Sequence, residues 1–299
     1  MRYTLSNAAL QAGIETLGGE LVSLRNRAGI EYIWQGAPAF WSGRNPVLFP
    51  IVGKLKNDRV IIGGRDFEMS RHGFARRAEF HAVEQGSDFI VLELCENEET
   101  LSRYPYPFIL RVRHQLLEDG FSTTFFTENP GGTSMPFCIG AHTAIRCPLM
   151  EGERFEDYQL VFDQPEDADT LLLTPEGLLR SGEMEPMLSG GKIDLDYSVF
   201  RRLDTIVFRG LQSKRVELRH GENGVALDFS QFPMVAFWTK PGVRRGAVPT
   251  VKEYGKAFDP AIPYAENRTA TEDGVHRRDL GRTVREPAQK QRFVSLIFS

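Results

Sequence analysis

The chain has 299 residues, of which 41% are hydrophobic and 25% are charged, and its formal net charge at pH 7 is −4. These values are ordinary for a globular protein with a large core. They argue against a nucleic-acid partner, because the lysines and arginines of the first 240 positions are dispersed and form no basic stripe.

The same sequence gives no indication of a membrane or secretory segment. The first residues lack the apolar core of a signal peptide, and no run of about 18 apolar residues occurs. The three cysteines, Cys95, Cys138 and Cys147, form no CxxC pair and no metal-ligand spacing. We therefore expect a cytoplasmic protein with reduced thiols, no metal site and no membrane partner.

Short segments of alternating apolar and polar residues follow one another along the chain, separated by Gly, Pro, Asn and Asp. The Asp119-Gly120 pair between two of them predicts a hairpin, since this pair supplies the positive φ of a tight turn. The predicted strands are residues 59–62, 89–94, 109–116, 121–127, 159–162, 215–218, 225–229 and 293–298.

Helical patterns are scarce by comparison. No segment of twelve or more residues has an apolar repeat of 3.6 residues, and residues 154–158 and 186–188 form short helical turns at most. Evenly spaced strands without intervening helices predict an all-β antiparallel sandwich or barrel. We treat residues 1–299 as one domain, in which residues 243–292 are atypically polar and rich in arginine.

Two histidines stand in unusual local contexts. His142 follows Gly140 and Ala141 in an apolar run, where it either donates to a carbonyl as a structural residue or points into a cleft as a general acid. His72 precedes Gly73 among arginines, which is also typical of a solvated turn. Imidazoles titrate near neutral pH, so the pair suits proton transfer on a neutral polyol such as a sugar.

The remaining histidines have no comparable context, whereas the tryptophans have both a structural and a functional interpretation. His81, His114, His220 and His276 are assigned to structure or solvent, and a zinc site formed by His72 and His142 has no spacing or partner to support it. Trp34, Trp41 and Trp238 each adjoin polar residues in the sequence. An aromatic ring beside polar groups is typical of a site that holds the C–H face of a sugar, although most tryptophans are core residues.

Six short motifs follow one another between residues 3 and 242. They are Ile33-Trp-Gln-Gly36, Phe40-Trp41, Pro46-Val-Leu-Phe-Pro-Ile-Val-Gly53, His72-Gly-Phe-Ala-Arg76, Phe137-Cys-Ile-Gly-Ala-His142 and Trp238-Thr-Lys-Pro-Gly242. In order and approximate spacing they resemble the motifs of the aldose 1-epimerases, the galactose mutarotase-like proteins, and in particular those of a bacterial subgroup. The resemblance implies a single large antiparallel β-supersandwich, in agreement with the strand pattern.

The resemblance also implies an activity and several site residues. The family interconverts the α and β anomers of aldoses without a cofactor: a glutamate removes the anomeric proton while a histidine protonates the ring oxygen. His142 matches the acid, His72 a histidine that hydrogen-bonds sugar oxygens, and Asp204 an acceptor for sugar hydroxyls. Trp238 is a candidate sugar contact. The family's asparagine-arginine element is matched only loosely, by Arg44, Lys54 or Asn57.

The sequence departs from the family where the base is expected. The subgroup has a segment resembling Ile-Glu-Pro-Trp after the Trp-Thr-Lys-Pro-Gly strand, and here Glu253 is the only carboxylate at about that distance, next to Lys252. Glu253 is therefore either the base or a solvated loop residue. A local reading-frame change in the gene would explain the abrupt loss of pattern after Gly242, and resequencing that region tests this hypothesis.

The preferred function is mutarotation of an aldohexose, with His142 as acid and Glu253 as base. One alternative is a sugar-binding or regulatory protein of the same fold that lacks catalysis. Another is an epimerase of hexose 6-phosphates, which requires clustered arginines; Arg44, Arg71 and Arg76 are the candidates. Neither the aldose nor the oligomeric state can be predicted from the sequence.

Overall fold

The computed structural model describes residues 1–240, 250–254 and 290–298, the last two ranges as strand backbone. Most of this part is β-structure, with two short helices, α1 (Glu98–Arg103) and α2 (Tyr197–Leu203). The strands, in chain order, are β1 (Arg2–Ser6), β2 (Leu10–Glu15), β3 (Glu20–Asn26), β4 (Val47–Leu48), β5 (Arg59–Ile62), β6 (Arg65–Glu68), β7 (His81–Gln85), β8 (Phe89–Cys95), β9 (Ile109–Leu116), β10 (Gly120–Glu128), β11 (Gly140–Ala144), β12 (Gln159–Phe162), β13 (Ala168–Leu173), β14 (Leu179–Leu188), β15 (Lys192–Asp194), β16 (Thr205–Arg209), β17 (Arg215–His220), β18 (Asn223–Asp228), β19 (Met234–Trp238), β20 (Thr250–Tyr254) and β21 (Lys290–Phe298).

The described strands form two large antiparallel sheets and three small ones. The larger has nine strands in the order β15-β12-β17-β18-β21-β10-β9-β8-β7, and the second has five in the order β16-β19-β20-β11-β4. The small sheets are β1-β2-β3, β5-β6 and the β13-β14 hairpin. This architecture is an all-β sandwich, as the strand pattern predicted.

The two large sheets pack against each other through aromatic and branched side chains. Phe162 of the nine-stranded sheet lies 6.0 Å from Phe208 and 5.8 Å from Phe237 of the five-stranded sheet, measured between ring centroids. All three rings are buried, and they belong to one continuous apolar cluster that extends from Leu5 to Phe237. Burial of these rings is the main force that holds the sheets together.

The other face of the five-stranded sheet is covered in part by the β13-β14 hairpin. Strand residues alternate between faces, so Val207 and Met234 point away from the sandwich core and pack with Leu171 and Leu179 of the hairpin. Thr170 fixes this hairpin to β16, because its Oγ1 accepts from the backbone N–H of Val207 at 2.8 Å. The same outer face carries the candidate site.

The predicted strands are confirmed with small shifts of their ends, including the strand at 293–298, which begins at Lys290. The hairpin at Asp119-Gly120 is also confirmed, but neither residue has the expected positive φ. Leu116 pairs with Phe121, so four residues make the turn and a tight two-residue geometry is not required.

The helical predictions were partly wrong. Phe155–Asp157 forms the expected short helical turn, whereas the stretch predicted around Pro186 belongs to strand β14. Pro186 fits there because the hairpin is a two-stranded sheet with a register shift opposite this residue, and edge strands with bulges tolerate proline. Helices α1 and α2 were not predicted; each has fewer than eight residues and begins at a side-chain cap, Asn97 or Asp196.

All three cysteines are free thiols, as expected; Cys138 and Cys147 are buried and Cys95 is exposed. Within the described ranges, every helix is too short and too polar to cross a bilayer.

Candidate active site

His142 lies in the middle of β11 and is held by the backbone on both sides. Its N–H donates to the carbonyl oxygen of Pro46 at 3.2 Å, and the side chain is 6% exposed. Through β20, the register aligns His142 with Ala236 of β19 and Val207 of β16. Directly paired residues of an antiparallel sheet share a face, so His142 stands on the outer face, away from the sandwich core.

His72 approaches His142 from a turn that precedes Phe74. The ring centroids are 5.7 Å apart and the planes are nearly perpendicular, at 89°. His72 has a left-handed backbone with φ of 66°, a conformation uncommon outside glycine. The N–H of Gly53 donates to Nδ1 of His72 at 3.0 Å. A backbone N–H can only donate, so Nδ1 accepts and the neutral ring carries its proton on Nε2.

Two tryptophans complete the surroundings of His142. The indole of Trp41 lies 4.7 Å from the imidazole, with 35° between the planes, and Trp238 lies 6.3 Å away, edge to face. The two indoles are 6.1 Å from each other. His142 is thus enclosed by aromatic rings on several sides, which limits its contact with water and fixes its orientation.

A cleft opens beside His72, between the outer face of the five-stranded sheet and the tip of the β13-β14 hairpin. The cleft is open, and its non-atom space of about 540 Å³ includes bulk solvent at the mouth. Its described lining combines apolar, cationic and acidic side chains around one imidazole: Gly53, Lys54, Arg71, His72, Leu173, Gly177, Leu179, Asp204, Thr205, Val207 and Met234.

Asp204 occupies a strained position at the edge of this cleft. It ends helix α2 with φ of 61°, and its N–H closes the helix on the carbonyl oxygen of Phe200 at 3.0 Å. The carboxylate is exposed and accepts from the hydroxyl of Thr205 at 2.9 Å. Non-glycine residues in this region of φ are energetically costly and tend to be found at functional sites.

A half-buried carboxylate supports the strand that carries His142. Oε1 of Glu20 accepts from the N–H groups of Arg44 and Asn45 at 2.6 and 2.7 Å, and Oδ1 of Asn45 accepts from the hydroxyl of Thr143 at 2.9 Å. Burial raises the pKa of the Glu20 carboxyl, and the two backbone bonds offset part of this effect. These bonds link β3 and the 44–46 segment to β11.

Of the three residues that loosely match the asparagine-arginine element, one lines the cleft and two do not. Lys54 lines the cleft, where its Nζ lies 3.8 Å from the Asp58 carboxylate. Arg44 is half-buried near Gly36 and is not part of the cleft lining described above. Asn57 is exposed in the turn before β5 and is also outside that lining. The cleft therefore brings Lys54, but not Arg44 or Asn57, together with His72 and Asp204.

The position of Glu253 follows from strand register alone, since its side chain lies outside the described part. Residue 252 pairs with His142 and with Ala236, whereas residue 253 pairs with Val235, a core residue. Successive strand positions belong to opposite faces. Position 252, rather than 253, is therefore in the same row as His142.

Several residues that shape the site were not assigned to it for the preferred function, although Arg71 was a candidate for binding a phosphate. Trp41 belongs to an aromatic cluster that the sequence shows, but its place in the site depends on its ring contact with His142, which is distant in the sequence. Arg71 donates from Nη2 to the carbonyl oxygen of Glu176 at 3.0 Å and so joins the hairpin tip to the His72 turn. Leu173 and Leu179 enter the cleft only because the hairpin folds over the sheet, which no local pattern predicts.

Comparison with known proteins agrees with this fold. The family model described as aldose 1-epimerase matches residues 1–267. The chromosomal protein LacX of Lactococcus lactis is 39% identical over 249 residues, which cover 80% of this chain and 83% of LacX.

Solved structures extend the likeness to three dimensions. A galactose mutarotase related enzyme from Lactobacillus acidophilus has a TM-score of 0.85 and 25% identity, covering 100% of this chain and 97% of the other. A galactose mutarotase-like protein from Lactobacillus casei has a TM-score of 0.85 and 26% identity, covering 100% of both chains. With its sandwich fold, its paired histidines and these matches, the chain belongs to the aldose 1-epimerase family.

Proposed function

We propose that the protein is a mutarotase that interconverts the α and β anomers of an aldohexose. The observation that carries this proposal is the pair His72 and His142, whose rings meet at 5.7 Å beside a cleft that also holds Asp204. Family membership supports a carbohydrate epimerase of this kind. The reaction consists of proton transfers at a hemiacetal, and imidazoles are the side chains best suited to them near neutral pH.

In this mechanism His142, as imidazolium, donates a proton to the ring oxygen while a carboxylate takes the proton of the anomeric hydroxyl. The C1–O5 bond breaks and a C1 carbonyl forms. Rotation about C1–C2 and reclosure, with the protons returned, then give the other anomer. His72 donates from Nε2 to a sugar oxygen, and Asp204 accepts from sugar hydroxyls. Trp238 supplies an apolar surface for the C–H face of the sugar.

The base of this mechanism is a carboxylate. Glu253 remains the proposed carboxylate, but the strand register pairs its position with Val235, not with His142. The variant Glu253→Gln decides its role. A loss of turnover comparable to that in His142→Gln supports the assignment, and unchanged turnover removes Glu253 from the mechanism.

A phosphorylated hexose is a second candidate substrate, favoured by the cations of the cleft. Lys54 and Arg71 both line it, and the described partner of Arg71 is a neutral carbonyl. Arg76 is outside the described lining; burial lowers the pKa of its guanidinium, and the charges of Arg77 and Arg71 lower it further. Guanidinium groups bind phosphate oxygens strongly.

The test is polarimetry of the purified protein with freshly dissolved α-anomers of glucose and galactose and with their 6-phosphates. We expect faster anomerisation of at least one of these sugars than in buffer alone. A 6-phosphate preference that disappears in Arg71→Gln identifies the phosphosugar as substrate. Calorimetric binding of a sugar without any rate increase supports the non-catalytic binding protein and contradicts the mutarotase.

A further inference from the structure

Trp41 is presented to the site by a tightly bonded turn. Its N–H donates to the carbonyl oxygen of Ala37 at 2.8 Å, and its own carbonyl oxygen accepts from the N–H of Ala37 at 3.0 Å. Nε1 of Trp34 donates to the same carbonyl at 2.9 Å. Three hydrogen bonds therefore fix the backbone from which the Trp41 indole extends to His142.

Gly43 provides the space that the indole occupies. A Cβ atom at Gly43 would lie 2.6 Å from Cζ2 and 2.8 Å from Cε2 of Trp41, well inside van der Waals contact. Gly43 has no left-handed φ, so its backbone conformation is open to alanine. The need for glycine at this position comes from the indole, which is held against the chain on one side and contacts His142 on the other.

We propose that Trp41 is a positioning residue for His142: the indole holds the imidazole in one orientation and stabilises its protonated form. The proposal rests on the proposed role of His142 as the acid. The ring centroids lie 4.7 Å apart with a tilt of 35°, which places the imidazole within the 6 Å at which a cation is attracted by an aromatic ring.

Most of the charged and titratable groups described around His142 oppose its protonation. The titratable neighbour in the described part is His72, whose proton would repel a second one, and strand β4 contributes only Val47 and Leu48. The cleft beside His72 holds Lys54, Arg71 and Asp204. On β20 the backbone register pairs His142 with Lys252. Of the described side chains, His72, Lys54 and Arg71 disfavour an imidazolium at His142, and Asp204 favours it.

Indole rings attract cations, and this attraction favours the protonated imidazole. An imidazole beside an indole should therefore have a pKa roughly half to one and a half pH units higher than one beside an aliphatic side chain. Catalysis by an acid requires the protonated form at the working pH. Trp41 would then increase the fraction of enzyme with His142 ready to donate, without touching the reacting atoms itself.

The experiment is an NMR titration of the histidine Cε1–H signals in the full-length protein, with the His142 signal assigned by its loss in His142→Gln. The variants are Trp41→Leu, Trp41→Phe and Gly43→Ala. The control is Phe40→Leu, which removes the neighbouring exposed ring. We expect the His142 pKa to fall by roughly half to one and a half pH units in Trp41→Leu and by less in Trp41→Phe, and to stay unchanged in Phe40→Leu.

Gly43→Ala keeps every ring and displaces only the indole. We expect a smaller ring-current shift at His142 and a lower kcat with little change in KM, because ground-state sugar contacts are retained. An unchanged His142 pKa and ring-current shift in Trp41→Leu, Trp41→Phe and Gly43→Ala would overturn the proposal. If Trp41→Leu fails to fold, the other two variants test the same coupling.

The titration is read without substrate, so it separates two failures. A wild-type protein that anomerises no sugar contradicts the mutarotase assignment, while the pKa change in Trp41→Leu still tests the coupling of Trp41 to His142. If the protein anomerises a sugar but the His142 pKa is the same in wild type and Trp41→Leu, only the coupling of Trp41 to His142 is contradicted.

Discussion

At the scale of single residues, the histidines divide according to their hydrogen-bond partners. His114 is fully buried between Thr123 and the carbonyl oxygen of Gly19, at 3.0 and 2.9 Å, and stacks on Phe121. A carbonyl can only accept, so Nε2 donates to it and Nδ1 accepts from the hydroxyl, which satisfies a neutral ring. The assignment of His114 to structure is therefore confirmed, in contrast to His72 and His142, which meet beside a cleft.

The burial of His114 predicts an acid-sensitive fold. Burial lowers its pKa from 6.5 to about 4, so the folded state holds this ring neutral. The resulting stability is fully present above pH 6.5 and is lost as the pH falls toward 4. The loss amounts to about 3 kcal/mol at most. Urea unfolding at pH 7, 5 and 4 should show this decrease in the free energy of unfolding.

His114→Gln keeps a donor and an acceptor but cannot take up the proton, so its stability should decline less over the same pH range. His81→Gln is the matched control, since His81 is exposed on β7. Equal pH dependence in wild type and His114→Gln would contradict this explanation.

The residues of the site differ in how far the sequence could predict them. His142, His72 and Asp204 stand out because short motifs carry them, and the fold places His72 and Asp204 in one cleft beside His142. Trp41 was visible as one of several aromatic residues, but its contact with His142 depends on pairing between distant segments. Arg44 and Asn57 fit a motif only by spacing, and spacing along a turn does not determine which side chains reach the cleft.

At the scale of elements, the β13-β14 hairpin determines the shape of the cleft. It is a separate two-stranded sheet that packs by Leu171 and Leu179 on the outer face of the five-stranded sheet, and its tip reaches Arg71 through the Glu176 carbonyl. Two-stranded hairpins are marginally stable alone. Its position therefore depends on these contacts and on Thr170, which both accepts from Val207 N–H at 2.8 Å and donates to Val207 C=O at 3.3 Å.

Thr170→Val removes both of these bonds with little change in volume. The buried N–H of Val207 then loses its partner, at a cost of about 1–3 kcal/mol. We expect faster hydrogen exchange at the amides of β13, β14 and Val207, and weaker sugar binding, with exchange in β8–β10 unaffected. Thr133→Val, in an exposed loop, is the control. Unchanged exchange in the hairpin would show that Thr170 does not anchor it.

Alternation along the chain predicted the strands well because each large sheet has one face on the core. It failed where an element is short or irregular: α1 and α2 have six and seven residues and show too few turns for a periodic pattern. The proline in β14 suggested a helical turn, although a bulged two-stranded sheet accommodates it.

At the scale of the whole molecule, the order of strands could not be predicted from local patterns. Strand β21, near the end of the chain, lies between β18 and β10 in the nine-stranded sheet, so the last strand is internal to a sheet begun much earlier. Non-local pairing of this kind also creates the site. His142 on β11, Trp238 on β19 and the β13-β14 hairpin share the outer face of the five-stranded sheet only after all its strands have assembled.

The central claim is that His142 transfers a proton to a bound sugar. The most direct measurement is exchange NMR of α- and β-aldose signals, on the best substrate of the polarimetric panel, with wild type and His142→Gln at equal concentration and equal circular dichroism. Loss of a positioned general acid lowers the rate by roughly 10²- to 10⁴-fold, so we predict exchange near the buffer rate with sugar affinity largely retained. A His142→Gln enzyme that exchanges the anomers as fast as wild type would contradict the claim.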